Sequence, residues 1–198
     1  GNDWNDRVSS LKIIPDGVTG LSGICKIKGY NGQFLDLDGN SNANNTKIVQ
    51  WTDEGEEIYQ HWKLTEIETG VYRISAASQD SRGFDVAYGS GENRTEVLLY
   101  DYNNGNHQQF IIVKNGDYYQ LVARHCGKVL EVPNASNTAG EQIKLWDNNN
   151  QNCSKWTFPK TSPSGSKVAS IYDDLNYGGR SLDLPIGSFT ASQLLVYG

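Results

Sequence analysis

IKLWDNNNQNCSKW, residues 143–156, sets one tryptophan ten residues after another with little but asparagine between them. The same shape recurs upstream as VLLYDYNNGNHQQF (97–110), where Tyr100 precedes Phe110 by ten, and as IVQWTDEGEEIYQHW (48–62), where Trp51 precedes Trp62 by eleven. The second aromatic of each pair recurs at steps of 48 and 46 residues, the first at steps of 49 and 46. A fixed period of this length marks a fold assembled from repeated supersecondary units. Three copies fill roughly residues 22–160.

A further landmark keeps the same register. FLDLDG (34–39), GFDVAYG (83–89) and VLEVPN (129–134) each break a short apolar run with an acid, and Asp36, Asp85 and Glu131 each lie fifteen residues before the first aromatic of their copy. Local signals are those of β structure. FIIVKNGDYYQLVA (110–123) places two apolar or alternating runs around Asn115-Gly116, a pair that supplies the positive φ angles of a tight hairpin. Thr69-Gly70 marks the matching turn one copy earlier. No window sustains apolar spacing at i, i+3, i+4 and i+7, so helices are expected to be short or absent. Three copies of about four strands each predict a closed all-β architecture, because closure leaves no unpaired sheet edges.

The chain has 198 residues and a formal net charge of −6, which makes nucleic acid or an anionic membrane an unsuitable partner. No stretch approaches the run of about eighteen apolar residues of a membrane-spanning helix. Three cysteines, Cys25, Cys126 and Cys153, cannot all pair within the chain, and none sit at Cys-x-x-Cys spacing, so a zinc site is not indicated.

Gln60-His61-Trp62, Gln108-Gln109-Phe110 and the degenerate Ser154-Lys155-Trp156 are three Gln-x-Trp-like elements in register. In this the chain resembles the ricin B-type β-trefoil lectins over about 135–140 residues. The resemblance implies a β-trefoil over 21–160 whose Gln-x-Trp aromatics belong to the core, with sugar chemistry on the acid and the first aromatic. A carboxylate accepts hydrogen bonds from two neighbouring hydroxyls, and a flat ring offers its face to the C–H side of a pyranose. Carried over residue by residue, the first site has Asp36, Trp51 and Gln60, with Tyr59 in the place of the family's asparagine. The second has Asp85, Tyr100 and Gln108, with His107 in that place. The third has Glu131 and Trp146, but Cys153-Ser154 replaces the Asn-Gln pair, leaving only Asn152 to compensate. The plain alternative for each copy is an acid bonding its own turn and a ring packing on a half-buried strand.

A Ser/Pro/Gly linker (161–167) separates the repeats from residues 168–198, where Tyr172 and Tyr177-x-Gly179 resemble the opening of a βγ-crystallin Greek key. Asn5-Asp6-Arg7-Val8-Ser9-Ser10, within residues 1–20, resembles the calcium loop that closes such a key. That likeness implies Asp6, Arg7 and Ser9 as oxygen donors to calcium, a metal the trefoil itself does not require. It also implies that the two ends form one key across a permuted arrangement, between chains, or as part of a larger tandem protein.

The expected function is non-catalytic, multivalent carbohydrate binding by a secreted or extracellular protein. Its competitors are a protein-interaction trefoil without sugar affinity and a targeting piece of a larger glycoside hydrolase or toxin. An enzyme is not expected: only three histidines occur, none in a nucleophile motif, and repeated sites fit poorly with the single paired-carboxyl cleft of a glycosidase.

Overall fold

In the computed structural model, the described residues are 17–160 and the backbone of two later strands. The chain divides into two compact units, Gly1–Lys160 and Thr161–Gly198. Of the second unit, Ala169–Tyr172 and Ser181–Leu184 pair as an antiparallel hairpin. The calcium donors expected at Asp6, Arg7 and Ser9, and most of the crystallin-like segment at either end, lie outside the described residues.

The first unit is all-β. Its first copy comprises β1 (Gly23–Cys25) and β2 (Lys28–Gly29), which are two pieces of one interrupted strand, then β3 (Phe34–Leu37), β4 (Thr46–Trp51) and β5 (Trp62–Glu68). The second comprises β6 (Val71–Ala76), β7 (Gln79–Val86), β8 (Val97–Asp101) and β9 (Phe110–Asn115). The third comprises β10 (Tyr118–Ala123), β11 (Val129–Glu131), β12 (Lys144–Trp146) and β13 (Trp156–Thr157).

The outer strands of each copy pair around a ring. β1 pairs β5, β5 pairs β6, β6 pairs β9, β9 pairs β10, β10 pairs β13, and β13 returns to β2, all antiparallel. This is the barrel of a β-trefoil. The inner strands form three hairpins, β3–β4, β7–β8 and β11–β12, in one common register. Asp36 stands opposite Val49, Asp85 opposite Leu98 and Glu131 opposite Lys144. Because side chains alternate between faces, each acid shares its face with the ring two residues beyond its partner: Trp51, Tyr100 or Trp146. The other face carries Leu35, Leu37 and Ile48, then Phe84, Val86, Val97 and Leu99, then Leu130, Val132, Ile143 and Leu145, all buried in one core.

Trp62, Phe110 and Trp156 fill the centre of that core. Trp62 and Trp156 also donate their indole N–H to the carbonyls of Leu35 and Leu130 at 3.1 and 3.2 Å, which satisfies the polar edge of each buried ring. Phe84 packs edge-on against both Trp62 and Phe110. One position breaks the threefold pattern: where Leu99 and Leu145 enter the core, the first copy has buried Gln50. It is satisfied by donating to the carbonyls of Ser136 and Thr138 and accepting from Asn31.

The turn expected around Asn115-Gly116 falls one residue later. Asn115 pairs with Tyr118, so the loop is Gly116-Asp117, with the left-handed φ of 61° on the glycine. The Thr69-Gly70 turn lies where the sequence sets it, between paired Glu68 and Val71, with Gly70 at φ 71°. Helical structure among the described residues is confined to three-residue 3₁₀ turns, two per copy.

Since Trp62 and Trp156 occupy equivalent, fully enclosed positions, truncating either to alanine should cost about 3–5 kcal/mol in urea unfolding. A loss below about 1 kcal/mol would show that the centre of the barrel collapses around the gap.

Candidate functional site

The second copy shows the construction most completely. Asp85 is 7% exposed, and its Oδ2 accepts a hydrogen bond from Gln108 Nε2 at 2.7 Å. The Gln108 amide also donates to the Asp101 carbonyl at 2.9 Å, while its Oε1 accepts from the Asn103 N–H at 2.8 Å. Gln108 is thereby fully enclosed and fixed in one orientation. His107 Nε2 lies 3.4 Å from Asp85 Oδ2. Its ring reaches that point through a slot bounded by glycines: a Cβ at Gly105 would fall 2.3 Å from His107 Cε1, and one at Gly89 3.6 Å from Cγ. Asp85, His107 and Tyr100 line one open cavity of about 220 Å³, together with Asn45, Asn103 and Tyr88.

The first copy repeats the clamp. Gln60 Nε2 donates to Asp36 Oδ2 at 2.8 Å and to the Thr52 carbonyl at 2.7 Å, and Gln60 Oε1 accepts from the Glu54 N–H at 3.1 Å. Asp36 Oδ1 is buried and accepts no side-chain or backbone hydrogen bond among the described residues. The cleft of about 420 Å³ contains Asp36, Asp38, Glu54 and half-buried Trp51. Gly140 flanks it, and a Cβ there would come within 3.3 Å of Trp51 Cζ3.

The third copy is built differently. Glu131 is buried, and its Oε2 accepts only a long 3.5 Å contact from the Cys153 thiol, the residue that replaces the family's asparagine. Ser154 turns inward to the Gln151 carbonyl and Gln120. Asn152, the residue available to compensate, accepts from Lys155 instead. The guanidinium of Arg94 lies over the Trp146 ring, 5.6 Å from its centroid. The cavity beside Cys153, about 230 Å³, opens at the seam with the first copy against Tyr30 and Asn31 and contains neither Glu131 nor Trp146.

The sequence therefore locates the acids and rings, but the roles divide differently. Gln60 and Gln108 do not reach the clefts: each is enclosed behind its carboxylate and orients it. Tyr59 packs partly buried against the core instead of lining the first cleft. Three cleft residues escaped notice in the sequence because each belongs to the copy before the one it serves. Asn45 borders the Tyr100 cleft, Arg94 covers Trp146, and Gly140 abuts Trp51. All three hold left-handed φ, 68°, 70° and 88°. Their common offset, six residues before the ring of their own copy, is the signal that could have found them.

Burial raises the carboxyls of Asp36, Asp85 and Glu131 above the usual carboxylate range. For Asp36 and Asp85 the glutamine hydrogen bond pulls the other way, while Glu54 and Asp38 push Asp36 further up and positive charge on His107 and His125 would draw Asp85 down. Burial and the adjacent Glu131 raise the Cys153 thiol to about 11, so it stays protonated at neutral pH and donates. An enclosed carboxylate held on one oxygen has lost water without regaining all its donors. A ligand hydroxyl can supply what is missing.

A family model for ricin-type β-trefoil lectin-like domains matches residues 20–100, 58–146 and 106–192, successive windows that together span most of the sequence. The chain belongs to that family. Among solved structures it is similar to the designed threefold-symmetric protein ThreeFoil, at 28% identity and TM-score 0.67, over 70% of this chain and 99% of that one. It is also similar to 1,3Gal43A, an exo-β-1,3-galactanase from Clostridium thermocellum, at 28% identity and TM-score 0.67, over 75% of this chain and 32% of that one. The C-half of an earthworm R-type lectin, solved in complex with GalNAc, shares the fold at 19% identity and TM-score 0.57, over 70% and 98% of the two chains. No curated protein matches by sequence. Family membership supports carbohydrate binding in general terms.

A carboxyl raised on folding stabilises the native state below its unfolded pKa, and that stability is lost as pH rises through the folded value. Asp85→Asn mimics the neutral form and can still accept from Gln108. The variant is expected to melt slightly higher than the parent at pH 7, and the difference should vanish as the pH falls below the ordinary aspartate range near 4. A lower melting temperature at pH 7 would mean that Asp85 is a net stabiliser of the fold.

Proposed function

We propose that this chain is a non-catalytic carbohydrate-binding module with at least two saccharide sites, the second and first copies, acting on polymers or dense glycan surfaces. The observation that carries this reading is the repeated clamp: a glutamine, enclosed by the barrel, presents one aspartate beside a partly exposed ring at the mouth of a cleft, in two copies. A catalytic carboxyl pair would need two acids of divided role across one cleft; the first cleft also holds Asp38 and Glu54, but among the described residues Asp85 is the only acid lining the second, and the clamp presents the same single aspartate in both.

The third copy departs from that plan. Arg94 occupies the face of Trp146, and the acid has a thiol in place of an amide, so this copy contributes least. Shallow sites of this kind have affinities on the order of millimolar, about −4 kcal/mol. Two on one rigid body gain through effective concentration when the ligand repeats. The likeness to part of a galactanase favours galactosides or plant polysaccharides as ligands, and with them an extracellular setting and a place beside a hydrolase.

Tyr100→Ala and Asp85→Asn should each remove most binding at the second site while leaving the circular dichroism of the fold intact, read by calorimetry on galactosides and by retention on insoluble xylan. Unchanged retention after both substitutions would discard the second site. A glycan array that stays blank while a protein partner is captured would favour the interaction-module reading.

Calcium at Asp6, Arg7 and Ser9 is a separate proposal, supported only by the sequence likeness of residues 5–10 to a crystallin loop. Melting curves with calcium and with chelator should then differ. Superimposable curves would remove the metal.

A further inference from the structure

The turn after each cleft acid has the same backbone in all three copies: two successive residues with left-handed φ, at Gly39-Asn40, Tyr88-Gly89 and Asn134-Ala135. The fold imposes this shape, so the choice of side chain at its first position is the variable. The first and third copies use glycine and asparagine, residue types that tolerate the conformation. The second uses tyrosine, at φ 58° and ψ 13°. A bulky residue there is an outlier that folding alone does not favour, and such strain concentrates at ligand-contacting positions.

Packing does not compensate for it. Tyr88 is fully exposed, at 103% of its reference area, so its ring contributes nothing to the core. Its position is specific all the same. It lines the same cavity as Asp85, Tyr100 and His107, and is far more exposed than Tyr100, at 103% against 39%. Glycine follows it, and a Cβ there would lie 3.6 Å from His107 Cγ, so the turn that carries Tyr88 runs beside the His107 ring.

We infer that Tyr88 is a second stacking platform, on the exposed side of the cavity that Asp85 and Tyr100 line, that takes the apolar face of the next sugar along an oligosaccharide. This inference rests on the second copy being a saccharide site. It adds that the ligand there is a chain of at least two linked pyranoses, and that the second copy differs in this from the first, where Gly39 leaves the corresponding rim bare.

The test isolates the second site in an Asp36→Asn, Glu131→Gln background and compares Tyr88→Asn and Tyr88→Phe by calorimetry. The probes are methyl β-galactoside against β-1,3-linked galactotriose, and methyl β-xyloside against xylotriose. Tyr88→Asn, which installs the residue the third copy already uses, should weaken the trisaccharide that binds by about three- to tenfold while monosaccharide affinity stays within about twofold. Tyr88→Phe should keep the trisaccharide affinity. Relief of the strained turn should also leave Tyr88→Asn as stable as the parent, or higher in Tm by about 2–4 °C. Equal loss for monosaccharide and trisaccharide, or no loss for either, would overturn the platform. Adding Asp85→Asn separates the two levels: if monosaccharide binding survives it, or if no probe binds at all, the underlying site reading fails and the platform with it. If binding is lost with Asp85→Asn yet the trisaccharide is indifferent to Tyr88→Asn, only the platform fails.

Discussion

Closure is the constraint from which the rest follows. A strand at the edge of each copy has exposed N–H and C=O groups that only a neighbouring copy can satisfy, and the last such debt is met where Trp156 and Thr157 pair with Gly29 and Lys28. Closing the ring encloses Trp62, Phe110 and Trp156 in a common centre. It also forces each inner hairpin against the loop of the copy before it, as the backbone bonds Asn45 to Leu99, Arg94 to Leu145 and Gly140 to Gln50 record. The clefts are therefore built at seams. No copy makes its own site unaided.

This explains why three similar repeats yield unlike sites. The acid, the ring and their register are properties of one copy and barely vary, while the residue laid against the ring comes from elsewhere and varies freely. Glycine leaves Trp51 uncovered, asparagine puts an amide at the edge of the Tyr100 cleft, and arginine covers Trp146. The same seams tolerate breaks in the core pattern. Gln50 replaces a leucine and is accommodated because Ser136 and Thr138, from the copy that abuts it, offer their carbonyls.

The Gln–Asp clamps show how a stable core serves a surface site. Burying an amide requires that both its ends find partners. Gln60 and Gln108 do so with a backbone carbonyl, a backbone N–H and the carboxylate they steady. The aspartate, pulled partly out of water, is left short of donors, most clearly at Asp36 Oδ1. In the proposed function, the hydrogen bonds missing at the carboxylate are the ones a ligand hydroxyl would supply.

The sequence by itself determined the repeat, the all-β class and the positions of Asp36, Asp85, Trp51 and Tyr100, because period and alternation are local properties that survive in one dimension, while the β-trefoil entered through the likeness of the three Gln-x-Trp-like elements to a known family. It also indicated which third copy was irregular, since Cys153-Ser154 is visible where an amide pair belongs. Which face a glutamine turns to could not be read there: Gln60 and Gln108 resemble cleft residues in sequence and are interior clamps in space. The pairings of Arg94 with Trp146 and of Gly140 with Trp51 were likewise decided by tertiary structure alone, because each joins groups of neighbouring copies that chain distance does not bring together. The left-handed setting of Tyr88 belongs to the turn of its own copy, and tyrosine, unlike glycine or asparagine, does not signal that conformation in a sequence.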